Sequence, residues 1–149
     1  MAVSRGAGTE IIRTAWFEDI DSTSTTLIMG EQHHIYTILN INVYCSALNA
    51  VTDQLNIYLV GYDSKAGTSA QHFRIFGQVI PAASTFVWND KFSFNGFEPV
   101  NFTGPMDDAT KQNAIADQGS SVAQYLYCHA THASDDFEIG ITYIDQNNA

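Results

Sequence analysis

The histidines and carboxylates that could ligate a metal or move a proton fall in four places along the chain. His33 and His34 are adjacent, so on a strand they would point to opposite faces and could not share one ion without a bend. His129 and His132 stand close to Asp135 and Asp136, a spacing that a hairpin tip could gather around a metal and that a solvated polar loop would equally use. Asp107 and Asp108 resemble a fragment of a calcium loop, without its alternating ligands or closing glutamate. Glu18, Asp19, Asp21 and Glu31 could supply the two carboxylates of a glycosidase, as could many acidic β-proteins. There is no Gly-x-Ser-x-Gly elbow, and Gly6-Ala7-Gly8 is not a phosphate loop. The reading is therefore no catalytic residues, no cofactor, no metal and no enzyme.

The aromatic residues are more informative. The chain holds nine Phe, seven Tyr and two Trp. Phe92, Phe94, Phe97 and Phe102 crowd a segment punctuated by Gly and Pro; they serve either the core or an exposed apolar patch of the kind that marks an interface. Tyr36, Tyr44, Tyr58, Tyr62, Tyr125 and Tyr127 tend to fall on the more polar side of their strands. They suit a sheet face covered by another subunit or, with Trp88, a carbohydrate platform.

These side chains need strands to hold them. Ile35 to Cys45 alternates, with Ile35, Thr37, Leu39, Ile41, Val43 and Cys45 on one parity, and the apolar spacing a helix requires is missing. Leu55 to Tyr62 puts Leu55, Ile57 and Leu59 on one face, and Phe73 to Ile80 does the same with Phe73, Ile75 and Val79. Glu10 to Phe17 and Leu27 to Met29 read as strands, as do Val122 to Ala130 and Phe137 to Ile144. Thr85 to Trp88 and Lys91 to Phe94 flank Asn89-Asp90, which reads as a tight hairpin turn. Met106 to Asp117 is the one stretch compatible with a short helix. About eight strands without intervening helices exclude parallel βαβ folds. The expected fold is all-β, an antiparallel β-sandwich or jelly roll over residues 10–149, preceded by a flexible N-terminal arm over 1–9.

Composition narrows the partners. Of the 149 residues 45% are hydrophobic and 15% charged, against a usual charged share of about 25%. A neutral polar surface loses little on being covered by another protein. The net charge of −10 opposes nucleic acid and anionic membrane alike. Cys45 and Cys128 lie in apolar strand-like runs and read as buried free thiols, a disulfide between neighbouring strands being the alternative. The first ten residues lack the apolar core of a secretory signal, so synthesis in the cytoplasm is expected.

Two segments carry a resemblance. Ser121 to Gln146 (SVAQYLYCHATHASDDFEIGITYIDQ) resembles the ending of many small virion proteins of tailed bacteriophages, in which an I-x-Y-I-D strand closes a β-sandwich. Gln78 to Phe94 (QVIPAASTFVWNDKFSF) is similar to their IPA…T…W-D-K hairpin, which follows an Asn- and Tyr-rich strand pair. The resemblance implies a structural protein of the phage particle. The first expectation is a capsid decoration (cement) protein that forms a homo-oligomer, a trimer by expectation, and stabilises the head shell by bridging capsid proteins. The alternative is a tail, neck or appendage component, including a carbohydrate-binding module for host attachment. It implies no catalytic residues. Arg5 in the arm, Trp88, Phe92, Phe94, Phe97 and Phe102 are the expected contact residues.

Overall fold

The computed structural model describes residues 9–63, 67–98 and 122–147. The arm before Thr9, Arg5, Phe102, Asp107-Asp108 and the helix expected over 106–117 lie outside these residues. Nine strands form, and no helix occurs among the described residues: β1 (Thr9–Ile20), β2 (Thr25–Met29), β3 (His34–Ala47), β4 (Leu55–Asp63), β5 (Thr68–Gln78), β6 (Ser84–Trp88), β7 (Phe92–Asn95), β8 (Tyr125–Ala130) and β9 (Asp136–Asn147). They make two antiparallel sheets. One runs β1-β9-β3-β6 with β7 also on β3, and the other runs β2-β8-β4-β5. This all-β sandwich has jelly-roll connectivity: most consecutive strands alternate between sheets, so β1 meets β9 and β2 meets β8.

The expected hairpin at Asn89-Asp90 does not form. β6 pairs with Ile41 to Cys45 of β3 and β7 pairs with Ile35 to Ile38, both antiparallel to it. The two are halves of one edge strand, interrupted at residues 89–91. The interruption lies opposite a register shift on β3 between Ile38 and Asn40, and a shift there breaks the ladder locally instead of reversing the chain. With β6 and β7 counted together, eight strands build the jelly roll.

The same bulge corrects the face assignment on β3. Tyr36 and Ile38 are buried in its first half, and Ile41, Val43 and Cys45 in its second, so the inward parity changes at Leu39. On β5 a register shift beside Ile57 leaves Phe76 facing the core, while Phe73 and Val79 are exposed. Elsewhere alternation reads correctly: Leu126 and Cys128 on β8, and Phe137, Ile139 and Ile141 on β9, are all buried. These side chains join Leu55, Ile57, Ile20 and Ile80 in one core between the sheets. Each fully buried Ile, Leu or Phe contributes on the order of 2 kcal/mol relative to leaving it in water.

One end of the sandwich is held by a backbone clasp. The Gly30 N–H donates to the Gln124 carbonyl at 2.9 Å, the Gln124 N–H to the Gly96 carbonyl at 2.8 Å, and the Gly96 N–H to the His34 carbonyl at 2.8 Å. The buried Gln124 side chain donates to the carbonyl of Asn95 and accepts from the Tyr62 N–H, tying the ends of β4 and β7 to the start of β8.

Candidate functional site

The two sheets do not close along their β5 and β6–β7 edges. Between them lies a groove of about 290 Å³, lined by Leu59, Phe73 and Ile75 from one sheet and Trp88, Phe92 and Ser93 from the other. Ser93 supplies the only side-chain hydroxyl in this lining; the other five side chains are apolar or aromatic. The groove exists because β4 and β5 aim Leu59, Phe73 and Ile75 at the rim of the core, and among the described residues no strand beyond β6–β7 meets them. Phe73 is left 67% exposed. Trp88 stacks on Phe76 at 5.8 Å between ring centroids and on Phe92 at 5.5 Å, and Phe76 meets Phe86 edge-on. A second hollow, reaching to Tyr62, Asn95 and Gln124, continues the groove past Phe73 and Leu59.

Of the expected contact residues, the structure brings Trp88 and Phe92 together in this groove. Phe94 turns into the core beside Tyr36, and half-buried Phe97 makes a bridge to Ala123. Sequence reading missed the part played by Phe73, Leu59 and Ile75, because alternation placed Phe73 among the buried residues. The exposed partner of an edge groove has no local signal; it depends on which strands end the sheets.

The tyrosines resolve into distinct settings. Tyr58, Tyr127 and His129 stack face to face across β4 and β8, with centroids 5.1 Å apart for the tyrosine pair and 5.4 Å for Tyr58–His129. Arg74 lies over the Tyr58 ring and donates to its hydroxyl at 3.1 Å, and the His72 ring is 2.9 Å from the Tyr127 hydroxyl. Rings stacked on one another and hydroxyls already paired leave this ladder little to offer a sugar. Trp88, with two rings already stacked on it, is equally ill placed for that task.

The polar clusters serve the fold. His34 Nδ1 lies 2.5 Å from the buried Asp145 carboxylate, and Arg13 Nε donates to its other oxygen at 2.9 Å. Glu31 stands 3.4 Å from His34 Nε2, and its backbone N–H donates to the Tyr36 hydroxyl. The hydrogen bond to Asp145 raises the Arg13 pKa. Burial, reinforced by the nearby Asp145 charge, pushes the Tyr36 phenol well above its ordinary range. Asp145→Ala is expected to cost about 2 kcal/mol in urea unfolding, because it strands a half-buried imidazole and a guanidinium at a strand end. Arg13→Ala, at the exposed end of the same pair, is expected to cost less than half as much.

At the other end of the sandwich, Asp135 accepts from the backbone N–H groups of Asn49 and His132 at 2.7 and 2.8 Å. His132 Nδ1 accepts from the Ser134 N–H, and His129 belongs to the aromatic ladder. Among the described residues no three His, Cys, Asp or Glu side chains converge as a metal ion would require. Cys45 and Cys128 are buried free thiols. Burial pushes the Cys128 thiol up to about 12 and raises that of Cys45 as well.

No protein family matches the chain, and no curated protein matches it in sequence. Two solved structures are similar in overall shape. One is a chain from the disulfide-linked pili that form Bacillus endospore appendages, with 9% identity, a TM-score of 0.43, and coverage of 100% of this chain and 97% of that one. The other is a chain of the cowpea mosaic virus top component, a naturally occurring empty particle, with 16% identity, a TM-score of 0.40, and coverage of 96% and 84%. At those scores neither neighbour carries information on what this chain binds.

Proposed function

We propose that this chain is a structural subunit of an assembled particle and acts by burying its open flank against other protein. The observation that carries the reading is the apolar groove between β5 and β6–β7, with Phe73 standing in solvent beside Trp88 and Phe92. Two sheet edges meet there. An edge strand offers unpaired backbone groups, and an apolar trough beside it offers area, so a neighbouring segment gains both on docking. The low share of charged residues keeps the desolvation cost of such a contact small.

The finer reading, supported by the resemblance of residues 78–94 and 121–146 to small virion proteins of tailed phages, is a capsid decoration protein. Such a subunit would oligomerise, as a trimer, and bridge several capsid proteins, stabilising the shell by mass action. A tail, neck or appendage position is the alternative. Either places the chain in the virion after synthesis in the host cytoplasm, with protein partners, no catalytic role and no cofactor.

Phe73→Asp tests this. The side chain is exposed, so the fold should keep its melting temperature, whereas a charge in an apolar contact should weaken self-association or particle binding by at least about 10-fold. Sedimentation of the purified chain, alone and with particles from a lysate, reads both. A wild-type chain that stays monomeric at high concentration and never sediments with particles would remove the proposal.

A further inference from the structure

The outer face of the five-stranded sheet carries a second site, unrelated to the open flank. Ala15 and Phe17 pack on the core, so Trp16 between them points outward, and it is 75% exposed. Its cross-strand partner on β9 is Gly140. A Cβ built on Gly140 would lie 3.0 and 3.1 Å from two carbons of the Trp16 six-membered ring, so the indole rests over the glycine. A glycine under an aromatic ring lets it lie down on the sheet, and any larger residue would lift it. The side of the indole away from Gly140 is open to solvent.

Polar side chains stand around the indole. Asn42 lies in the same cross-strand row as Trp16 and Gly140, and Glu138, Tyr44 and Thr85 form the next row. With Glu18 they line a shallow cleft of about 160 Å³ beside the indole. Among the described residues no Lys or Arg lines it. Among the described residues, none of the five polar side chains makes a hydrogen bond with another protein group, in contrast to the mutually satisfied tyrosine ladder on the other sheet. An amide, two carboxylates and two hydroxyls therefore present donors and acceptors around a flat aromatic surface. A pyranose ring matches that set: its C–H face covers an indole and its hydroxyls bond in the plane around it. The two carboxylates accept from hydroxyls and repel an acidic sugar.

We infer that the Trp16 cleft binds a neutral hexopyranose unit of a glycan, with Trp16 as the stacking platform and Asn42, Glu18 and Glu138 as hydroxyl partners. A second copy of this chain is the competing occupant, since Ile12 and Val87 are exposed on the same face.

The test uses the full chain with tetrasaccharides built from glucose, galactose, mannose or N-acetylglucosamine, and galacturonic acid tetramer as the acidic control. Binding is read by calorimetry and by the Trp16 indole N–H signal in a proton–nitrogen correlation spectrum, identified by its loss in Trp16→Ala. At least one neutral series should bind and shift that signal, and the acidic tetramer should not. Trp16→Ala should weaken binding by about 30-fold, and Asn42→Ala by about 10-fold. Should Trp16→Ala fail to fold, Asn42→Ala and Glu138→Gln decide the matter by the same readout. No binding by any neutral tetrasaccharide at about 10 mM overturns the proposal. So does equal binding of the acidic tetramer, or binding indifferent to these substitutions. A wild-type dimer that Trp16→Ala converts to monomer assigns the face to a second copy and overturns it as well.

Discussion

Gly96→Ala is expected to lower the stability of the chain by about 3 kcal/mol or more, equivalent to a fall of about 10 °C in Tm. Neither Gly96 nor Gly30 has a positive φ, so the cause is space and not backbone freedom. A Cβ on Gly96 would land on the Glu31 backbone, 2.7 Å from its nitrogen and closer still to its carbonyl oxygen. A Cβ on Gly30 would land on the carbonyl oxygens of Gly96 and Gln124. Those same carbonyls accept the hydrogen bonds of the clasp, so relief by moving one backbone away breaks the bonds that hold it. Flexible side chains can swing aside, but crossed backbones cannot. Thermal and urea unfolding of Gly96→Ala and Gly30→Ala measure the cost. Near-wild-type midpoints would mean the two segments do not cross this closely. Gly77→Ala is the control, because the nearest atoms there belong largely to the Arg74 and Asn56 side chains.

The chain is also expected to lose stability steeply above pH 9. Burial holds the Cys128 thiol near 12 in the folded protein, against an ordinary value of 9.0. The folded state therefore keeps a proton that the unfolded chain releases above pH 9. The stability tied to that proton is fully present below pH 9 and is lost as the pH climbs towards 12, at about 1.4 kcal/mol per pH unit. Burial raises Cys45, Tyr36, Tyr127 and Tyr143 in the same direction, so from about pH 10 the tyrosines steepen the fall. Urea midpoints at half-unit steps from pH 7 to 11 measure it. Cys128→Ala should flatten the curve between pH 9 and 10, at a neutral-pH cost of about 1 kcal/mol for the vacated volume. A level profile through pH 10.5, or one as steep without the thiol, would show that Cys128 is not held neutral in the core.

Much of the fold is legible in the residues, and what is not has a physical pattern. β9 reads correctly because the extra residues of its ladders fall on its partners β1 and β3: Phe137, Ile139 and Ile141 meet one core throughout, and period two survives. β3 and β5 mislead because each passes through an irregularity in its pairing. One extra residue reverses the inward parity, so Tyr36 and Phe76 become core while Phe73 becomes surface. The residues around Asn89-Asp90 have the composition of a hairpin, yet they bridge two halves of one edge strand. Which outcome a turn-like pair takes depends on β3 lying alongside, and nothing within five residues encodes that. The candidate sites were legible in part. Phe92 stands out by crowding and Trp88 as a large aromatic, whereas Trp16 becomes notable only once Gly140, far along the chain, is found beneath it.

The position of β9 between β1 and β3 bears on how such a molecule comes into being. β4 and β5 form the only hairpin between consecutive members of the nine described strands; every other ladder waits for remote partners. The register Thr9↔Asn147 joins the two extremes of the described chain. A nascent polypeptide that lacks the stretch from Asp136 onward has nothing to lay between β1 and β3, and both keep bare flanks until it arrives. Folding should therefore be slow for its size and should finish in one late step. Until that step the half-made sheet is a hazard for mispairing with its siblings on neighbouring ribosomes.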